Sequence, residues 1–254
     1  MALTIASLNS GSNGNCFYIG NDKDAVLIDV GISCPQTENR LGQLHLSIKK
    51  LRAIFVSHEH KDHVKGLSTF ANKYSIPVYI TPGTATGGPR LIRHLSRPFV
   101  ANYGVEIGSL TVTGFKTQHD ASDPHNFIIS DRQVTVGVFT DIGIACQQVQ
   151  YYFKQCNAAF LESNYDELML QNGGYSTPLK ERIRGNNGHL SNSQALELFK
   201  LHRFPAMSLL LLCHLSAKNN DPLLVEQLFK ENAGNCKVVT CSRNEPTGPF
   251  NIFS

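Results

Sequence analysis

Short apolar runs separated by Gly, Asn, Ser and Asp open the chain at residues 3–8, 16–19 and 25–30. Runs of that length bounded by turn formers predict strands, and their close spacing predicts an antiparallel meander. Leu41, Leu44 and Ile48 then recur at helical spacing and predict a helix over 37–50. The run Ala53-Ile54-Phe55-Val56 is short, branched and aromatic, as in a buried strand. Val64, Leu67 and Phe70 share one face of a helix over 64–74, and residues 77–80 form the next strand, so a βαβ-like unit frames residues 57–63. Thr81-Pro82 offers an N-cap with proline at the first helical position, for a short helix toward His94 that Gly87-Gly88-Pro89 interrupts.

The pattern continues with strands at 105–107, 110–115, 126–130 and 134–139, a helix at 146–154, a strand at 158–161 and a short helix at 166–170. Ser191 and Gln194 fit a capping box ahead of a helix through Leu201. Residues 208–213 are a continuous apolar run and read as a central strand, Asp221-Pro222 caps a helix over 223–230, and 237–240 gives a last strand. No repeat, low-complexity tract or linker divides this pattern, which predicts one α/β domain over residues 1–254.

The polar residues with metal chemistry stand at strand ends. Ser57-His58-Glu59-His60-Lys61-Asp62-His63 follows the 53–56 run and holds four strong ligands within six residues. His58 and His60 project to one side of an extended backbone, while Asp62 and His63 open the next segment and approach from another direction, a geometry that suits two metals. His119, Asp141 and His214 each follow an apolar strand too. Strand ends of one sheet lie side by side, so these residues are expected to converge with the His58 cluster, Asp120 standing as a competitor beside His119. Asp29 ends the third strand, where a carboxylate can orient a ligating histidine from behind, and Gly31 suits a sharp turn in a crowded site. The turn Asn9-Ser10-Gly11-Ser12-Asn13-Gly14-Asn15 is either a flexible hairpin loop or an anion-binding concavity, with Ser10, Ser12 and Asn13 as candidate substrate contacts.

Composition adds bounds. With 254 residues and 41% hydrophobic content the chain can bury one large core. Lys and Arg outnumber Asp and Glu by only 23 to 20, so charge alone does not announce a nucleic-acid partner. Lys180, Arg182 and Arg184 make a local positive surface, most simply a solvated face. The seven cysteines, an odd number without a CxxC pair, read as reduced and mostly buried. Residues 1–14 lack a signal-peptide pattern, and no apolar run approaches the roughly twenty residues of a membrane span, so a soluble cytoplasmic protein is expected.

The HxHxDH spacing of residues 58–63 resembles the signature of the metallo-β-lactamase superfamily. The resemblance covers nearly the whole chain. It implies a four-layer αβ/βα sandwich with His58, His60 and His119 on one metal, Asp62, His63 and His214 on the other, and Asp141 bridging both; family spacing favours His119 over Asp120. Gly188-His189-Leu190-Ser191-Asn192, Leu161-Glu162-Ser163-Asn164 and His214-Leu215-Ser216, together with the early Ser-Asn-Gly-Asn turn, look like the YycJ/WalJ branch, near the tRNase Z-type phosphodiesterases. In tRNase Z-like enzymes a Glu after a strand pairs with a His that meets the scissile phosphate. Glu162 and His189 match those positions, and Ser191 and Asn192 join the candidate substrate contacts. The branch implies DNA exonuclease activity. The chain lacks the inserted domain of the β-CASP nucleases and the arm with which tRNase Z clamps tRNA, so those substrates are not expected.

Two divalent cations, Zn, Mn or Fe by ligand type, neutralise a phosphodiester and lower the pKa of a bridging water. Asp62 and Asp141 are the expected catalytic carboxylates, and His189, set by Glu162, is the expected general acid. The sequence thus reads as a binuclear metal-dependent hydrolase, a phosphodiesterase or nuclease with DNA favoured over RNA. The alternatives are a hydrolase of a small ester, lactone or thioester, and a non-catalytic metal-stabilised domain that binds nucleic acid.

Overall fold

The computed structural model describes residues 2–88 and 94–253. Leu3–Asn9 (β1), Cys16–Gly20 (β2) and Ala25–Ile28 (β3) form the expected antiparallel meander. Leu51–Phe55 (β4), Val78–Tyr79 (β5) and Ser96–Arg97 (β6) extend it in parallel, and Thr247–Ile252 (β14) pairs antiparallel with β1 at the other edge. A second sheet begins with Gly104–Ile107 (β7), Leu110–Lys116 (β8), His125–Ser130 (β9) and Thr135–Phe139 (β10), all antiparallel. It continues in parallel with Ala158–Glu162 (β11), Leu209–Cys213 (β12) and Lys237–Thr240 (β13).

The strands are apolar on both faces because both faces are covered. Phe17 and Ile19 of β2 face the core between the sheets, where Phe17 meets Phe160 of β11 with ring centroids 4.8 Å apart. Cys16 and Tyr18 point the other way, toward Leu41 of helix Cys34–Gln43 (α1) and Phe70 of helix Leu67–Tyr74 (α3). In the second sheet Leu211 faces inward, and Leu210 and Leu212 face helices Gln147–Phe153 (α5), Asn192–His202 (α8) and Pro222–Lys230 (α9). Each buried Leu or Phe contributes about 1.5–3 kcal/mol of transfer free energy. The result is the expected four-layer αβ/βα sandwich.

Several expectations need correction. The helix expected over 37–50 is α1, which starts at Cys34 behind Ser33, whose N–H donates to Gln36 Oε1 (3.1 Å). It ends before His45, at φ 55°, and Ile48–Lys50 is a separate 3-10 turn. Leu44 and Ile48 kept a helical rhythm because both still pack against the outer core. The helix expected over 64–74 is two: Lys61–Val64 (α2) and α3, broken at Gly66, where a Cβ would lie 1.9 Å from Ile32 O. The helix after Thr81 spans Pro82–Gly87 (α4); of the remainder toward His94, residues 89–93 lie outside the described residues.

Helix Glu167–Asn172 (α6), capped by Asp166, is the short helix expected at 166–170, whereas three elements were not foreseen. Strand β6 is two polar residues long. Helix Thr177–Arg184 (α7) buries no residue and so carries no apolar period. Strand β14 contains Gly248 and Pro249, which an edge strand tolerates.

Contrary to the expectation of one sheet with its strand ends side by side, the strands that deliver the candidate ligands belong to two sheets. Strand β4 lies in the first sheet and β8, β10 and β12 in the second. The sheets stack face to face, so the ligands meet at a shared rim above the core. Among the described residues no helix is long and apolar enough to cross a membrane.

Candidate metal centre

Asp29 follows β3, Asp141 follows β10 and His214 follows β12, and all three are in the left-handed region, with φ of 61°, 55° and 54°. Such a backbone costs a non-glycine residue roughly 1–2 kcal/mol. It persists where neighbours fix it. Asp29 N–H donates to Phe55 O (2.9 Å), His214 N–H to Ser10 Oγ (2.7 Å), and the Thr140 carbonyl and N–H beside Asp141 are held by the Asn126 amide (3.0 and 2.6 Å). Gly31 meets the crowding expected of it: a Cβ there would lie 1.7 Å from Asp62 O, which accepts from Asn15 N at 2.7 Å.

One nitrogen of each buried imidazole is committed to the protein, and this fixes the nitrogen left for a ligand. His58 Nδ1 is 3.0 Å from Ser57 Oγ, and His58 Nε2, buried, has no hydrogen-bond partner among the described residues. His119 donates from Nδ1 to Gly188 O (3.0 Å), leaving Nε2 3.4 Å from His60 Nδ1. His63 donates from Nδ1 to Asp29 Oδ2 (2.7 Å), and Ser57 holds that carboxylate through its N–H (2.8 Å) and hydroxyl (2.7 Å). His214 faces Glu162 Oε1 with Nδ1 (3.0 Å), so Nε2 points toward Asp62 Oδ2 at 3.5 Å without hydrogen-bond geometry.

Two clusters, His58-His60-His119 and Asp62-His63-His214, have ligand atoms within 4.8 Å of one another, and two further such groups, His58-His63-Asp141 and Asp141-Glu162-His189-His214, join them through Asp141. Asp141 lies between them, with Oδ2 3.1 Å from His63 Nε2 and Oδ1 3.5 Å from His119 Nε2. Two buried imidazole nitrogens without partners, aimed into a space that carboxylates also face, would cost roughly 1–3 kcal/mol each if left unfilled. Divalent cations satisfy both the nitrogens and the carboxylates.

The electrostatics differ between the clusters. Burial, with the charge of His63, holds His58 well below the usual histidine range, and burial lowers His119 as well, so both keep neutral lone pairs. In the other cluster burial opposes the charge on His63 and His214, but Asp141 and neighbouring carboxylates outweigh it. His63 is raised well above its ordinary value and His214 is pushed up to about 10. Burial likewise works against the Asp141 carboxylate, and His214 and His63 hold it well below the usual range. Protons thus occupy this half where a cation would compete for the same atoms.

His189 stands beside the ligands. Its Nδ1 lies 2.7 Å from Glu162 Oε1, and Glu162 Oε2 accepts Ile142 N–H at 2.7 Å. Burial disfavours the imidazolium, yet the Glu162 charge and hydrogen bond raise His189 above its ordinary value. With Asp120, Tyr175 and Arg182 it lines a cavity of about 180 Å³.

Other sequence candidates are placed differently. Asp120 pairs with Arg182 Nε through Oδ2 while its Oδ1 lies 3.2 Å from His119 Nε2, yet it joins neither cluster. Ser10 is buried under His214 N–H; Ser191 caps α8 through Gln194 N–H (3.2 Å); Asn192 is buried between Ser163 Oγ (2.7 Å) and Asn220 (2.9 Å). These three are structural partners rather than open substrate contacts. Of the two readings of the first turn, the anion concavity finds its backbone donors already used, as Gly14 N–H donates to Gly11 O, Gly11 N–H to Asn15 Oδ1 and Asn15 N–H to Asp62 O. Ser12 and Asn13 remain exposed. Sequence reasoning assigned no role to Ser57, to Asn15, whose Nδ2 lies 3.0 Å from His63 Nε2, or to Asn164, whose Nδ2 donates to His214 O (2.8 Å). Only Ser57, next to the ligands at a strand end, carried a local signal.

The model of the metallo-beta-lactamase superfamily matches residues 10–191. Exodeoxyribonuclease YycJ of Bacillus anthracis is 34% identical over 224 residues, covering 87% of this chain and 85% of the relative. Among solved structures, the metallo-beta-lactamase fold protein YhfI from Bacillus subtilis aligns with a TM-score of 0.76 at 16% identity, over 99% of this chain and 100% of its own. The short form of human tRNase Z aligns at 0.64 with 16% identity, over 84% and 93%. At those identities the two structures speak for the fold, while the family match runs through the His58 cluster, His119, Asp141, Glu162 and His189. On that match and the 34% identity, the chain belongs to the metallo-β-lactamase superfamily.

Proposed function

We propose that this protein is a phosphodiesterase that cuts nucleic acid, DNA in preference to RNA, with two divalent cations. His58, His60 and His119 would hold one cation, Asp62, His63 and His214 the other, and Asp141 both; imidazole and carboxylate donors suit Zn, Mn or Fe. The observation that carries the reading is the 2.7 Å pairing of His189 with buried Glu162 at the edge of the ligand clusters. The name of the Bacillus anthracis relative, an exodeoxyribonuclease, supports DNA and attack from an end. Free, mostly buried cysteines fit a reducing compartment such as the cytoplasm.

Bound cations supply charge neutralisation of the phosphodiester and a water of lowered pKa. The protein supplies the rest. Asp141, oriented by Thr140 Oγ1 (2.6 Å), stands where both clusters meet and fixes the reacting centre between them. Glu162 accepts a hydrogen bond from His189 Nδ1–H, so His189 Nε2 is the nitrogen that turns to substrate, and the raised pKa keeps it a proton donor near neutrality. An alkoxide leaving group needs that proton. Hydrolysis of an activated small ester does not, and a merely nucleic-acid-binding domain leaves the pair without work.

The test is metal analysis coupled to cleavage of end-labelled single- and double-stranded DNA and RNA. Metal-dependent release of nucleotides, abolished in Asp62→Ala and Asp141→Ala, is the expected result. A protein that binds about two metals per chain yet cleaves no phosphodiester, nucleic or small, overturns the reading.

A further inference from the structure

Arg243 lies beside the Asp62-His214 side of the centre without a carboxylate partner. Its Nη1 donates to Leu215 O (2.7 Å), the carbonyl of the residue after His214, and its Nη2 to Ser12 Oγ (3.3 Å). Asn13 Nδ2 donates to Arg243 O (2.8 Å), and a Cβ on Gly11 would come within 2.4 Å of Nη1, so the first turn is wrapped around the guanidinium. No carboxylate lies within ion-pair distance of it among the described residues. Burial, the larger effect, lowers the pKa of the guanidinium, and the Asp62 carboxylate opposes it. Once Asp62 serves a cation, that compensation is gone. A half-buried guanidinium fixed by a carbonyl and lacking a counter-ion is a site for an anion.

Two further features set the anion's place. Lys218, exposed two residues beyond Ser216, holds its Nζ 5.7 Å over the Tyr175 ring, a cation–π distance. Tyr175 in turn lines the cavity that contains His189. Arg243 also lines a cavity of about 600 Å³ with Leu215, Ser216 and Asn220, a volume in the range of small-ligand sites. Lys218 thus stands by the His189 cavity through Tyr175, and Arg243 stands by the candidate ligand His214 through Leu215.

We propose that Arg243 and Lys218 bind the phosphate next to the scissile one, Tyr175 positioning Lys218, so that nucleic acid is selected over isolated phosphodiesters. The inference rests on the nuclease reading above. A charge-assisted contact to phosphate is worth enough that Arg243→Gln or Lys218→Gln should lower kcat/KM on a DNA oligonucleotide about tenfold, chiefly through KM. Each variant should also flatten the salt dependence of binding to single strands, by a slope of about 0.7. The same variants should lose less than about threefold on bis(p-nitrophenyl) phosphate, which has no neighbouring phosphate.

Arg243→Lys separates charge from bracing, since it keeps the charge but not the fork on Leu215 and Ser12. It should retain most of the oligonucleotide activity. Equal losses on both substrates, no loss on either, or an Arg243→Lys as weak as Arg243→Gln overturns the subsite. If Arg243→Gln does not fold, Lys218→Gln, at an exposed position, carries the comparison alone. Wild-type protein that cleaves the small diester but no nucleic acid removes the nuclease reading and this inference with it. Wild-type nuclease activity with unaffected variants removes only the inference.

Discussion

Glu162 and His189 share a 2.7 Å hydrogen bond, and the same carboxylate oxygen lies 3.0 Å from Nδ1 of His214. One buried side chain therefore aligns a candidate ligand and a candidate acid together. Glu162→Gln keeps the shape and removes the charge that favours the His189 imidazolium. With less opposition to burial, the His189 pKa falls, and the protonated form is lost at lower pH. The alkaline limb of kcat should move toward acid at saturating metal, and metal affinity should drop about 10–100-fold. An unmoved alkaline limb would mean that His189 does not donate the proton.

His189→Ala removes the donor itself. Because proton transfer to a leaving group contributes about 10²–10⁴-fold, turnover of DNA, with its poor alkoxide leaving group, should fall in that range. A p-nitrophenyl phosphodiester leaves without help and should suffer far less. Steady-state rates on the two substrates check this directly, with metal content measured to show that the ligand clusters are still filled.

Asp29 is the counterpart of Glu162 on the other side. It accepts from His63 Nδ1, Ser57 N–H and Ser57 Oγ, all within 2.8 Å. Asp29→Ala strands a buried N–H and frees the His63 ring, at a cost of roughly 1–3 kcal/mol in thermal unfolding. Metal affinity should fall about 10–100-fold as well. Asp29→Asn should fall between wild type and Ala in stability, since an amide oxygen still accepts from Ser57.

The sequence made the ligands visible because four of them crowd into six residues and the others stand where apolar runs stop. Which sheet each strand joins was hidden, since local pattern records a strand and its end but not its neighbours. Ser10 looked open because it is polar and lies in a turn, and Ser191 and Asn192 were candidates through the resemblance, yet the donors and acceptors of all three are used inside the protein. Asn15 and Arg243 could not be singled out, because their partners are far along the chain: Asn15 meets His63, and Arg243 meets Ser12 and Leu215. Asp29, read as a carboxylate behind a ligand, was legible because it ends the third apolar run, one strand before the histidines.

Gly31→Ala tests the packing that places Asp62. The added Cβ would lie 1.7 Å from Asp62 O, backbone that cannot rotate away, and 2.6 Å from Asn15 N. The start of α2 must shift, and with it Asp62 and the loop that leads into it. Lower thermal stability and loss of the cation on the Asp62 side are expected, with the His58-His60-His119 side retained. Metal stoichiometry near wild type would show that the loop yields without moving the ligand.

Proton competition distinguishes the two clusters in solution. In the metal-free protein the raised His214 pKa favours the folded state fully below the ordinary histidine value. That contribution is lost as pH rises toward about 10. Cation binding on this side must displace the proton, so its affinity should keep climbing with pH well above neutrality. His58 and His119, both lowered, are already deprotonated at neutral pH, and the affinity of their side should level off there. Titration with Zn at several pH values, in buffers of different protonation enthalpy, separates two binding steps: one releasing protons at pH 8 and one releasing none. A single class of site with the same proton release at every pH would contradict the assignment of His63 and His214 to a separate, carboxylate-rich half.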